Sequence, residues 1–260
     1  MKVSDITSVI EAFAPLSLQE SYDNSGLIVG RGDDEVHGVM LAVDVTEEVL
    51  AEAEREGCDM VVTHHPIIFH PLKRLNSADA VQRCVERAVR TGTALYACHT
   101  NLDSAHDGMS WRLASMLGVG SLRVLQPADD GQNGFGVVGE LAEAMPTAEF
   151  MERIRSATGA RVLRHSRMAG ETVRRVAVCT GSGAFLMEAV KKAGADIYVT
   201  SDLKYNDFTT PDGRFTAVDA GHFESELCAI DILFDILSKK LCTFAVRRSE
   251  CSSNPVNYFV

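Results

Sequence analysis

The sequence predicts an α/β protein built from two similar α/β domains related by internal duplication. Short continuous apolar runs, such as VMLAV at Val39–Val43 and MVVT at Met60–Thr63, alternate with stretches of helical spacing. That is the pattern of buried parallel strands joined by helices. The two halves also share landmarks in the same order. VMLAVD, a helix, Gly57-Cys58-Asp59 and MVVT match RRVAVCT, a helix, Gly194-Ala195-Asp196 and IYVT. Finally, QPADDGQNG at Gln126–Gly134 is polar and rich in turn residues, a natural boundary. It predicts a first domain over residues 1–125 and a second over 126–260.

In order, Val3, Ile6, Val9, Ile10 and Phe13 have helical spacing, and Pro15 lies beyond the end. SYDNSGLIVG is a polar turn leading into a short strand. After Val39–Val43, Thr46 caps a helix whose first turn carries Glu47 and Glu48, where carboxylates suit the positive end of the helix dipole. Gly57 closes that helix. Met60–Thr63 is the next strand, followed by a helix over Ser77–Arg90, a strand over Ala94–Cys98 and a helix containing Trp111–Leu117. In the second half, strands are expected at Phe135–Leu141, Arg161–Leu163, Arg175–Cys179, Ile197–Thr200 and Phe215–Asp219. Helices are expected from Thr147 to Ala157, Ala184 to Ala193 and Glu224 to Lys240, with a last strand at Thr243–Val246.

With 260 residues, 46% hydrophobic and 23% charged, the composition is that of an ordinary globular protein. A net charge of −11 argues against a broad nucleic-acid surface. No stretch approaches the length of a membrane span, and seven cysteines without a C-x-x-C pair suit a reducing compartment. A cytoplasmic protein is the expectation.

The chemistry concentrates at strand ends. Met60–Thr63 delivers His64 and His65, and Pro66 stops it. Neighbours on a regular strand point to opposite faces, so the pair serves one site only if the strand ends there, or two sites close together. A pair of structural, hydrogen-bonded rings is the alternative. His99 and Asp103 follow another strand with four-residue spacing, and His222 and Glu226 repeat it at the matching place. Residues four apart share a helix face, so His222 and Glu226 can meet one centre. Imidazoles with carboxylates are the usual ligands of zinc, iron or manganese. His64, His65, Asp103, His222 and Glu226 exceed what one catalytic ion needs, which points to two divalent ions sharing Glu226. Gly181-Ser182-Gly183 at a strand–helix turn reads as a tight turn or as a phosphate cradle. Tyr22, Asp23 and Asn24 form a capped turn or line the site. His37, His70, His106 and His165 are assigned to the surface or the scaffold, and Cys58, Cys84, Cys98, Cys179 and Cys228 to the core.

At these residues the sequence resembles the Nif-three-like proteins, the type 2 homologues of GTP cyclohydrolase I. VVTHHPIIFHPLKRL, HTNLDSAHDG, IYVTSDLKY and GHFESE occur in the family's order, flanked by ESYDNSGLIVG and SSNPVNYF. The resemblance implies two α/β domains with a dinuclear metal site in the interdomain cleft, and a ring-shaped homohexamer. It implies that His64 and Asp103 hold one ion, His65 and His222 the other, and that Glu226 reaches both. It places His99 beside the metals, orienting a ligand or a bound water, with a satisfied histidine at a strand end as the alternative. It puts Asn24 and Asn206 on the substrate side, while Asp202 and Lys204 read as a salt-bridged pair or as polar groups of the cleft. Asn206 stands where relatives usually carry a histidine. The function implied is a dinuclear metal-dependent hydrolase of a nucleotide or phosphorylated small molecule. The alternative is a metal-binding scaffold or metal-handling protein without catalysis.

Overall fold

The structure is a computed structural model describing residues 1–259. Its helices are α1 (Val3–Phe13), α2 (Glu47–Arg55), α3 (Ala80–Thr91), α4 (Thr100–Ser104), α5 (Met109–Met116), α6 (Thr147–Thr158), α7 (Met187–Ala193), α8 (His222–Glu226) and α9 (Cys228–Lys240). The strands are β1 (Gly26–Val29), β2 (Gly38–Ala42), β3 (Met60–Thr63), β4 (Ala94–Ala97), β5 (Gly120–Pro127), β6 (Gly134–Pro146), β7 (Arg164–His165), β8 (Thr172–Ser182), β9 (Ile197–Ser201), β10 (Thr216–Asp219) and β11 (Ala245–Arg248). The chain divides into two compact units. One comprises Met1–Leu102 with Ala229–Pro255, the other Asp103–Cys228 with the residues from Val256 onward.

In the first unit the sheet order is β1-β4-β3-β2-β11. β2, β3, β4 and β11 run parallel, and β1 is antiparallel to β4. β2, β3 and β4 are buried along their whole length, which explains why they read as unbroken apolar runs. Met40, Ala42, Val61 and Leu95 pack on Val49, Leu50 and Ala53 of α2 and Cys84 and Ala88 of α3. Thr46 caps α2 by accepting from the Val49 amide at 3.2 Å, as its position predicts.

The second unit has the order β5-β6-β8-β9-β10-β7. β8, β9 and β10 are parallel, with antiparallel strands on either side. Alternate residues face two cores. Val176, Val178 and Val199 pack with Leu113 of α5 and Phe150 and Ile154 of α6. Ala177, Cys179 and Tyr198 pack with Met187 and Val190 of α7. Each unit thus holds three parallel strands in chain order, β2-β3-β4 and β8-β9-β10, with an antiparallel strand on the third (β1 or β7), which is consistent with duplication. The first unit adds parallel β11 beside β2.

Several elements depart from expectation. The expected break at residues 125/126 falls inside β5, a mostly exposed edge strand with too few buried positions to stand out in the sequence. The last strand lies at Ala245–Arg248 and joins the first unit, pairing Val246 with Val39 of β2. The helix expected over Glu224–Lys240 is two helices, α8 and α9. The five core cysteines are buried as predicted. Among the described residues no helix is long and apolar enough to cross a membrane.

The segment after β11 is tied down by Glu52, a buried carboxylate on α2. It accepts hydrogen bonds from the Ser249 hydroxyl and from the amides of Glu250 at 3.0 Å and Cys251 at 3.2 Å. Burial alone would raise its pKa, but these bonds outweigh that and hold it below its ordinary value. Glu52→Gln should therefore cost about 1–3 kcal/mol of unfolding free energy at neutral pH, measured by urea denaturation. Because the folded-state value is depressed, the stabilisation is present above the ordinary value of 4.5 and fades as pH falls through the folded one. The gap between wild type and variant should close on acidification.

Candidate metal centre

In the first unit, β3 ends at Thr63, whose hydroxyl donates to the His65 carbonyl at 2.8 Å. With the strand finished, His64 and His65 no longer diverge to opposite faces. Their ring centroids are 5.0 Å apart, and His99, which follows β4, lies 5.2 Å from one and 5.4 Å from the other. One nitrogen from each ring can be chosen so that all three lie within 4.8 Å of one another.

Each ring is fixed through Nδ1. His64, fully buried, has Nδ1 2.8 Å from the Cys98 carbonyl. His65 Nδ1 is 2.8 Å from Asp44 Oδ1, and His99 Nδ1 is 2.7 Å from Asp23 Oδ1. A carbonyl or an ionised carboxylate can only accept, so Nδ1 carries the proton in each case and Nε2 carries the lone pair. Histidines that bind metals are usually held in this way. Asp23 is itself well anchored: Thr100 donates to it through its amide at 3.1 Å and its hydroxyl at 2.5 Å, and Ser25 through its hydroxyl at 2.8 Å. Burial would raise its pKa, but the bonds from His99, Thr100 and Ser25 hold it well below the usual carboxylate range. Asn24 ties the same loop to the chain beyond the histidine pair, donating to the Ile68 carbonyl at 2.6 Å.

In the second unit, His222 opens α8. Its Nδ1 lies 2.8 Å from Asp202 Oδ2, and its Nε2 lies 3.0 Å from Glu226 Oε2, one helical turn on. Burial pulls the His222 pKa down, but the bonds to Asp202 and Glu226 outweigh it and raise it to about 10. The two carboxylates thus already hold a positive charge on the ring. Glu226 is buried and sits against Gly181, where any side-chain carbon would collide with Oε1. Gly181 is in the left-handed region at φ 61°. Its amide donates to Ser225 Oγ at 3.0 Å, and that hydroxyl donates to the His222 carbonyl at 2.9 Å. Gly181-Ser182-Gly183 is therefore no phosphate cradle at its first residue. Gly181 makes room for a buried carboxylate, and Gly183 makes room for the Tyr198 hydroxyl. Asp103, on α4, lies near enough with Glu226 to act on Cys179: burial first, then these two negative charges, push that thiol up to about 12.

The remaining candidates are peripheral. Lys204 and Asn206 are exposed on the turn after Asp202, where the Asn206 carbonyl accepts from Thr209 at 2.7 Å. His165 is exposed, with Nδ1 2.7 Å from the Ser166 carbonyl. His37 has a carboxylate partner that its sequence position does not reveal, Asp59 at 2.8 Å, on an exposed surface. Sequence reasoning also misses Asp44 and the Cys98 carbonyl. A strand-end carboxylate after VMLAV is a signal that could find Asp44, whereas a backbone carbonyl has none.

Gly181→Ala combines an unfavourable φ with overpacking against Glu226. It should lose about 1–3 kcal/mol of stability in calorimetry, whereas Ser182→Ala beside it, at an exposed position, should stay within about 0.5 kcal/mol of wild type.

The sequence profile of the Duf34/NIF3 (NGG1p interacting factor 3) family matches residues 1–255. A Clostridium perfringens protein named GTP cyclohydrolase 1 type 2 homolog is 33% identical over 228 residues, covering 87% of this chain and 87% of that protein. A Streptomyces coelicolor protein of the same name is 33% identical over 233 residues, covering 86% of this chain and 81% of its own. Among solved structures, a Bacillus cereus protein related to NIF3 has the same fold, with a TM-score of 0.90 at 23% identity over 100% of this chain and 99% of that one. Reduced HcgD from Methanocaldococcus jannaschii has a TM-score of 0.80 at 26% identity, covering 96% and 98%. A profile match over nearly the whole length and relatives at a third identity lead to one conclusion: the chain belongs to the Duf34/NIF3 (NGG1p interacting factor 3) family.

Proposed function

We propose that the chain is a dinuclear metal-dependent hydrolase acting on a nucleotide or a phosphorylated small molecule. The observation that supports this reading is the state of the four imidazoles. His64, His65, His99 and His222 each have Nδ1 bound to an acceptor-only group. The donor set fits zinc, iron or manganese. In this reading His64 and Asp103 hold one ion, His65 and His222 the other, and Glu226 both. When bound, such a pair supplies Lewis acidity and an activated water near neutral pH.

The chain's own residues do the rest. The Cys98 carbonyl, Asp44 and Asp202 orient the ligand rings of His64, His65 and His222. Gly181 leaves space for the Glu226 carboxylate. His99, held by Asp23, offers a nitrogen that takes or gives a proton beside the metals. Lys204 and Asn206, exposed on the turn after Asp202, are the substrate-side candidates of this reading. The chain assembles as a homohexamer, so light scattering should return a mass about six times that of one chain.

Elemental analysis should find about two transition ions per chain. A His64→Ala/His65→Ala variant with unchanged metal content would falsify the site. A screen over nucleotides, phosphoesters and cyclic amides should find a turnover lost in His65→Ala and Glu226→Ala and kept in His165→Ala. Metal transfer to an acceptor with no turnover on any of these substrates would instead support a metal-handling role.

A further inference from the structure

His222 and Asp202 leave the sheet from different strands. Asp202 follows β9, and His222 follows β10. At both exits the backbone makes a sharp turn in the left-handed region, at Asp202 with φ 57° and at Gly221 with φ 89°. A 2.8 Å hydrogen bond between the two side chains needs both turns held in register.

One buried carboxylate touches both. Asp219 ends β10, paired in register with Thr200 of β9. Its Oδ2 accepts from the Leu203 amide at 3.0 Å, directly after Asp202. Its Oδ1 accepts from the Gly221 amide at 3.1 Å, directly before His222. Arg164 closes the outer side, donating to Asp219 Oδ2 and, at 3.1 Å, to the Leu203 carbonyl. Its guanidinium lies 5.4 Å from the Phe208 ring centre.

We propose that Asp219 is a positioning residue whose two carboxylate oxygens clamp the backbone on either side of the Asp202–His222 pair and so set the orientation of the His222 ring. The clamp stands on its own geometry; its importance for metal binding rests on the reading given under Proposed function. Asparagine cannot replace it. With one acceptor oxygen, the side chain would turn an NH₂ group toward the amide of Leu203 or of Gly221.

Three measurements test this. In the wild-type protein, hydrogen exchange at the Leu203 and Gly221 amides should be at least ~100-fold slower than in an unstructured peptide, because each amide is held by a buried acceptor. Exchange at the unstructured rate would overturn the proposal without any variant being made. In metal-free Asp219→Asn, NMR should show the His222 Nδ1–H exchanging at least ~10-fold faster, while the His64 Nδ1–H, held by the Cys98 carbonyl, is unchanged. An unchanged His222 signal, or an equal change at His64, would sink the idea. Arg164→Gln keeps both amide bonds and, since the arginine is largely exposed, should stay within about twofold of wild type. A loss as large as that of the asparagine variant would assign the effect to the ion pair and overturn the clamp. Zinc affinity should fall ~10–100-fold in Asp219→Asn and no further in the His222→Ala background. If the wild type binds no metal, the proposed function fails while exchange and NMR still judge the clamp.

Discussion

A neutral imidazole has one proton for two nitrogens, and whichever nitrogen is bound to an acceptor keeps it. In this chain the acceptors are supplied by segments far from the histidines in sequence. The Cys98 carbonyl serves His64, Asp44 serves His65 and Asp23 serves His99, whereas His222 lies between two carboxylates, Asp202 and Glu226, and keeps a proton on both nitrogens. Parallel pairing of β3 with β4 places Thr63 opposite Ala97, so the residues that follow, His64 and Cys98, emerge side by side. Pairing of β2 with β3 places Ala42 opposite Thr63, which brings Asp44 within reach of His65. Strand register is thereby converted into a choice of tautomer.

The second unit solves a different problem. Glu226 is a buried carboxylate, and burying one without compensation is costly. Gly181 gives it space and His222 gives it a cation at 3.0 Å. Asp219 is also buried, and it is satisfied by two amides and an arginine. These groups explain why a glycine, a serine and an aspartate surround the end of β10 where apolar residues would otherwise fill a core.

The residues with donor chemistry were legible because their types are rare at strand ends and their four-residue spacing repeats. His64, His65 and His99 lie together in one unit, and His222 pairs with Glu226 in the other. What supports them was mostly hidden. A carbonyl acceptor such as that of Cys98 has no residue type, and Asp44 reads as an ordinary residue before a helix cap. The role of Gly181 is steric, set by a carboxylate 45 residues later. The strand-like character of the segment that forms β11 was visible, but its partner was not, since a strand's sequence does not name its neighbour. Lys204 and Asn206 were singled out by motif, and they are exposed on the turn next to Asp202.

That partner has a temporal meaning. The first unit takes its edge strand β11 from residues that follow the second unit, whereas the core of the second unit is one continuous stretch. During synthesis the second unit can close while the first still waits for that strand. Until then β2, an apolar strand buried in the finished protein, presents an unpaired edge. The edge of β2 is covered only once β11 has been made, and Glu52 on α2 then holds the segment that follows β11 through the amides of Glu250 and Cys251.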